Sequence, residues 1–226
     1  MTRRAFAPPV LVVPRTWMKG IQADGAPSKI VASRLDVKTW LAGVPDVDTV
    51  RPATCPCCGR AGHPPGSGPG IIGHGLRDRQ QRGPLAAGGA PQIVTVRARR
   101  YACACGAILM VVPSETLPRR LYTVSAVAWA LALFGVEQAT PAQVRQRTSP
   151  LAIIGATAAA GWVTLRRWVR AVRDLRLLTK TRPSPADFTD RQVAERAAMT
   201  AASMAPPSMA ALETSARAFV GARRAS

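Results

Sequence analysis

Five cysteines confined to two tight clusters constrain this chain more than any other feature. Cys55, Cys57 and Cys58 form the first cluster, and Cys103 and Cys105 form the second. An odd number of thiols in such close sets suits metal ligation better than a secreted disulfide framework. Cys55 and Cys58, followed by Gly59, have the form of a metal knuckle. Two sulfurs three residues apart can grip one ion inside a tight turn, and Gly59 accepts the turn's backbone geometry. Cys103 and Cys105, followed by Gly106, make a second knuckle that is one residue shorter. Together they predict a closed four-thiolate zinc site on Cys55, Cys58, Cys103 and Cys105, with no open position for a reactive water. Cys57 is an alternative ligand, and His63 or His74 could complete the set. The 44 residues between the knuckles (59–102) exceed the roughly 15–20 of common zinc ribbons. They are rich in Gly and Pro, which reads as a loop insertion plus a hairpin. A redox role for the first cluster is disfavoured, because neither cluster stands between a strand and a helix.

The rest of the chain divides around this module. Residues 1–49 read as a loosely ordered arm carrying a short helix at 35–41, with Leu35, Trp40 and Leu41 inward. Residues 50–113 form the zinc-ribbon module. Its clearest strand spans 92–103, where Val94 and Val96 alternate with Ile93, Thr95, Arg97 and Arg99. A return strand follows at 107–112, and a weaker strand pattern precedes it at 71–82. Residues 114–180 are helical: one apolar helix at 122–134 stopped by Gly135, one opened by Thr140 and Pro141, and one from about 158 to 177. Residues 181–226 read as an Ala-rich tail, with Thr189 and Gln192 spaced as a capping box and Pro206-Pro207 as a breaker. The fold class predicted is α+β: a small zinc-ribbon β-hairpin followed by a helix-turn-helix-like bundle. The apolar runs at 124–134 and 151–163 fall short of the roughly 20 residues a membrane span needs. The apolar segment after Arg3-Arg4 is cut by Pro8, Pro9 and Pro14, so no export signal is expected and the protein should be cytoplasmic.

Charge narrows the partner. The chain has 31 Lys and Arg against 12 Asp and Glu, a net +19, which suits a polyanion. Arg77, Arg79, Arg82, Arg97, Arg99 and Arg100 lie on the hairpin segments. Further on, Trp162, Leu165, Val169 and Val172 recur as an inward helical stripe, with Trp168 at its margin. Arg166, Arg170 and Arg173, with Arg167 beside them, form another face. A helix with one apolar and one Arg stripe suits the recognition helix of a helix-turn-helix. The competing readings are a solvated strand edge guarded by charge and a plain bundle with a solvated Arg face. Trp129, Trp162 and Trp168 are read as core.

The segments RPATCPCCG, GHGLRDRQQRGP, RRYACACGAILMVVP and LRRWVRAV, in this order, resemble the N-terminal zinc-ribbon and helix-turn-helix region of bacterial insertion-sequence transposases and related mobile-element proteins. The resemblance covers roughly residues 45–178. It implies zinc on Cys55, Cys58, Cys103 and Cys105, and contact with double-stranded DNA from the Arg-bearing helix. Such transposases carry a large acidic-triad nuclease domain after this region. The 46 residues after position 180 cannot fold one, so no catalysis is expected from this sequence and a separate transposase, or self-association, would be its partner. The alternative reading is a zinc-ribbon adaptor that binds protein and uses its Arg residues only for solubility.

Overall fold

The computed structural model describes residues 28–152 and 161–226. Within them the chain is mixed α and β, with one four-stranded sheet and six α-helices. The strands are β1 (Ser28–Ala32), β2 (Ile71–Gly83), β3 (Gln92–Cys103) and β4 (Ile108–Val112). The helices are α1 (Val37–Ala42), α2 (Val124–Gly135), α3 (Pro141–Thr148), α4 (Val163–Arg173), α5 (Asp190–Ser203) and α6 (Thr214–Ala225), with a 3₁₀ turn at Pro207–Met209. The expected start of the third helix near 158 lies outside the described residues, as do residues 1–27 of the expected arm.

The sheet order is β1-β4-β3-β2. β2 and β3 pair antiparallel from Ile71 opposite Cys103 to Gly83 opposite Gln92, with a bulge between Gly73 and Leu76. The segment at 71–82, weak as a sequence pattern, is therefore a full strand. Its Gly-His-Gly stretch and its run of polar residues hide the alternation. β4 pairs with only Arg99 to Ala102 of β3. The rest of β2 and β3 continues as a two-stranded ribbon that reaches the helices. Its far end docks there: the Arg82 N–H donates to Leu121 O at 2.7 Å. Gly83 sits at φ +112, so close to α2 that a Cβ would lie 2.5 Å from the Ala126 Cβ. Only glycine satisfies both the angle and the approach.

Two expectations for the N-terminal segment are corrected. Residues 28–32, assigned to a loose arm, form β1 and pair parallel with β4, Ser28 opposite Ile108 through Ala32 opposite Val112. A five-residue strand whose partner lies far along the chain leaves no local signature. Leu41 is exposed rather than inward. Asp36 caps α1, its carboxylate accepting from the Thr39 N–H at 2.7 Å. Starting there, the helical period turns Val37 and Trp40 inward, and Trp40 Nε1 donates to Arg97 O at 3.0 Å. Val37, Trp40 and Val50 thus share one core with Ile71, Tyr101, Leu109 and Val111 of the sheet.

The second core surrounds α2, whose residues are buried at nearly every position. A helix apolar all round must be enclosed, and here α3, α4, α5 and α6 all pack on it. Residues 181–226 are therefore part of this core, not a tail outside it. Ala194, Ala197, Ala198 and Ala201 of α5 and Ala218, Ala222 and Ala225 of α6 are all fully buried. Tyr122, Trp162 and Trp168 meet edge to face, Trp168 lying 5.0 Å from each of the others, a geometry that aromatic quadrupoles favour. The capping box read at Thr189 is formed, and the cap read at Thr140 proves to be a full capping box with Gln143. Replacing Thr189 by Ala should lower stability by about 1 kcal/mol, measured as a shift in the urea midpoint. An unchanged midpoint would mean that packing alone fixes the start of α5. Among the described residues, no helix is long and apolar enough to cross a membrane.

Candidate metal centre and basic surfaces

The first knuckle is a tight loop closed by the bridge between Thr54 and Ala61. Cys55 N–H donates to Arg60 O at 2.8 Å, and Gly59 N–H returns to Cys55 O at 2.8 Å. Gly59 takes φ +71, the left-handed geometry that its position in the sequence required. The second knuckle is the turn joining β3 to β4. Cys103 is the last residue of β3, its N–H donating to Ala107 O at 3.0 Å, and Gly106 N–H donates back to Cys103 O at 2.9 Å. Because Cys103 pairs with Ile71, the β2–β3 ribbon runs out and returns to the point where it left the first knuckle. The long spacing between the clusters is the contour of that ribbon.

All four sulfurs, of Cys55, Cys58, Cys103 and Cys105, lie within 4.8 Å of one another. Cys55 and Cys105 are 3.8 Å apart, and Cys58 and Cys103 are 3.7 Å apart. A tetrahedral ion with metal–sulfur bonds near 2.3 Å sets its sulfurs about 3.8 Å apart, so the four cysteines could hold a metal ion. Cys55 and Cys103 are buried, whereas Cys58 and Cys105 are exposed. The centre thus lies at the rim of the sheet core. Burial raises the Cys55 thiol, but the N–H groups of Cys57 and Cys58, and hydrogen bonds from Cys103 and Cys58, outweigh it and bring the group down to about 7. Cys103 is pushed up to about 12, first by burial and then by the neighbouring thiols, against a backbone N–H from Cys105. Backbone N–H groups of the first knuckle thus face the Cys55 sulfur.

The alternative ligands stand apart. Cys57 is exposed and outside the cluster, and His63 Nε2 lies 3.8 Å from an Asp48 carboxylate oxygen. His74 is on the exposed bulge of β2. Among the described residues, no other group of three or more His, Cys, Asp or Glu side chains gathers in this way.

The ten candidate arginines separate into exposed and engaged groups. Arg166, Arg167 and Arg170 are exposed on one face of α4, opposite buried Leu165, Trp168, Val169 and Val172. Arg77 and Arg97 are exposed on the ribbon, and Arg100 is half-buried. Three others are committed to the fold. Arg79 donates to Leu117 O at 2.9 Å and Arg120 O at 3.2 Å, and burial lowers its pKa. Arg99 Nε donates to Pro45 O. Arg173 donates to Phe188 O at 2.8 Å and lies 3.6 Å from Asp190. Arg82 and Arg166, from the two separate basic segments, line one cleft together with Arg145. The sequence offers Arg145 on the short helix α3, beside Gln143 and Gln146, but gives no sign that it meets Arg82 and Arg166. Sequence reasoning passed over Arg51, whose guanidinium donates to Ile71 O and packs 5.8 Å from the Tyr101 ring centroid. The expected helix-turn-helix pair is joined by residues 149–162, of which 153–160 lie outside the described residues. α3 packs on α2, and α4 on α2 and α5. Compared with protein-family models, with curated proteins and with solved structures, the chain matches none.

Proposed function

We propose that this protein binds double-stranded DNA, with a zinc ion on Cys55, Cys58, Cys103 and Cys105 as its structural corner and α4 as the element that meets the duplex. The observation that carries the reading is the exposed face of α4. Arg166, Arg167 and Arg170 take no carboxylate partner among the described residues, although Asp and Glu are available elsewhere in the chain. A net charge of +19 supports the same partner. Zinc suits a four-sulfur set at tetrahedral spacing, and a closed set of this kind supports a scaffold rather than hydrolysis. The helix-turn-helix reading of α3 and α4, and the likeness of the sequence to mobile-element transposases, belong to this proposal. So does a separate transposase, or a second copy, as the source of catalysis.

The test is fluorescence anisotropy with a labelled duplex from about 50 to 200 mM salt, where phosphate contacts lower affinity steeply. The combined Arg166→Ala, Arg167→Ala, Arg170→Ala variant should bind more weakly and flatten the log–log salt slope by about 2.7, three contacts at about 0.9 each. The exposed positions leave the core intact, so folding is a usable control. An unchanged slope in the triple variant would remove α4 as the contact. No salt-dependent binding by the unsubstituted protein would remove the reading altogether.

A further inference from the structure

The cleft beside the start of α4 has a volume of about 340 Å³. Three guanidinium-bearing residues reach it from three elements: Arg82 from the end of β2, Arg145 from α3 and Arg166 from the first turn of α4. No carboxylate stands in its described lining, and residues 153–160 (IIGATAAA) contain none to contribute. Arg82 is anchored through its backbone, which pairs with Leu121 and Thr123. Its side-chain Nε is shielded from solvent and has no hydrogen-bond partner among the described residues. Arg145 Nη2 donates to Ala152 O at 3.4 Å. Ser149 and Thr164 add hydroxyl groups to the lining. Three arginines lining one cleft with no carboxylate in its described lining give a positive potential that an anion would relieve. Guanidinium forks match the oxygens of a phosphate group in particular.

We infer that this cleft seats one phosphate group, held by Arg82 and Arg166 with Arg145 on the third side. The inference rests on the DNA-binding reading for its source, a backbone phosphodiester of the duplex against α4. A free phosphate has the same chemistry, and the two sources separate experimentally. The ribbon would then contribute to DNA binding at its helix-docked end, through Arg82, and not only along its exposed face.

Two measurements are made on the full chain, with Arg82→Gln and with Arg166→Ala. In the first, duplex affinity is followed against salt. Arg82→Gln is expected to weaken binding roughly fivefold near physiological salt and to flatten the slope by about 0.9, one phosphate contact. In the second, the melting temperature is read in inorganic phosphate and in chloride at equal ionic strength. A duplex effect without a phosphate-specific shift identifies a phosphodiester as the occupant. A phosphate-specific rise in melting temperature that both substitutions abolish identifies a free phosphate, and holds even if the protein binds no DNA. If Arg82→Gln does not fold, Arg166→Ala, altered at an exposed position, carries the phosphate comparison alone. Normal duplex binding by Arg82→Gln with no phosphate-specific shift in the unsubstituted protein would overturn the inference while leaving DNA binding by α4 standing.

Discussion

Purified protein is expected to carry one zinc ion per chain and to lose it on substitution of Cys103 by Ser. Cys103 ends the central strand and is fully buried. Its sulfur lies 3.7 Å from that of Cys58, so it links the two knuckles as well as closing the β3–β4 turn. A structural zinc contributes on the order of 10 kcal/mol of apparent folding free energy, comparable to a small domain's whole stability. Cys58→Ser, at an exposed position, should release the metal without opening a cavity, whereas Cys57→Ser should retain it. Elemental analysis of the three variants gives the pattern directly. The effect should be confined in space, because the sheet core and the α2-centred core are separate clusters. Metal removal with a chelator should abolish amide protection in β3 and β4 while much of the helical circular dichroism persists. Full zinc content in Cys103→Ser, or loss of zinc in Cys57→Ser, would contradict the ligand set. Metal-free protein with an intact sheet would reduce the cluster to four packed thiols.

How far the sequence predicted this molecule depended on whether a signal was local. The alternation over 92–103 was strong enough that β3 spans those residues, and the cysteine spacing singled out the four sulfurs that gather. Both are short-range patterns with a direct geometric meaning. β1 left no such pattern, because five residues pairing in parallel with β4 take their order from a strand that the chain reaches only much later. The arginines divide in the same way. Periodicity placed Arg166, Arg167 and Arg170 on the exposed face of α4, but it also put Arg173 there, which donates to Phe188 O. Nothing local could distinguish Arg77, which is exposed, from Arg79, which donates to the carbonyls of Leu117 and Arg120. A guanidinium satisfied by distant backbone looks, in sequence, the same as one waiting for phosphate. The convergence of Arg82 with Arg166 is likewise a property of the ribbon's docking on α2, which Gly83 permits.

The C-terminal segment gives the second large expected effect, and there the sign of a single substitution decides the matter. Composition suggested an Ala-rich tail, for which Gly221→Ala would be mildly favourable: Ala exceeds Gly in helix propensity by about 1 kcal/mol. The structure requires the opposite. Gly221 of α6 crosses the end of α5 so closely that a Cβ would lie 1.9 Å from Ala201 O and 2.7 Å from Ala205 N. Both are backbone atoms, which cannot rotate aside as a side chain would. α6 would have to lift from α5, and with it Ala218, Ala222 and Ala225 from the core around α2. Overpacking of this kind costs about 1–3 kcal/mol, and the rigidity of the obstacle puts the expectation near 3 kcal/mol after the propensity gain. For a chain of this length that corresponds to a fall in melting temperature on the order of 10 °C. Gly135 tests the same packing from the other side, since a Cβ there would lie 2.3 Å from Glu195 N on α5, and Gly135→Ala should also destabilise. A higher melting temperature in Gly221→Ala would mean that α6 is free of α5 in solution. A fall would establish that residues 181–226 close the same core that holds α4, so that the Arg-bearing face of α4 depends on the C-terminal helices for its position.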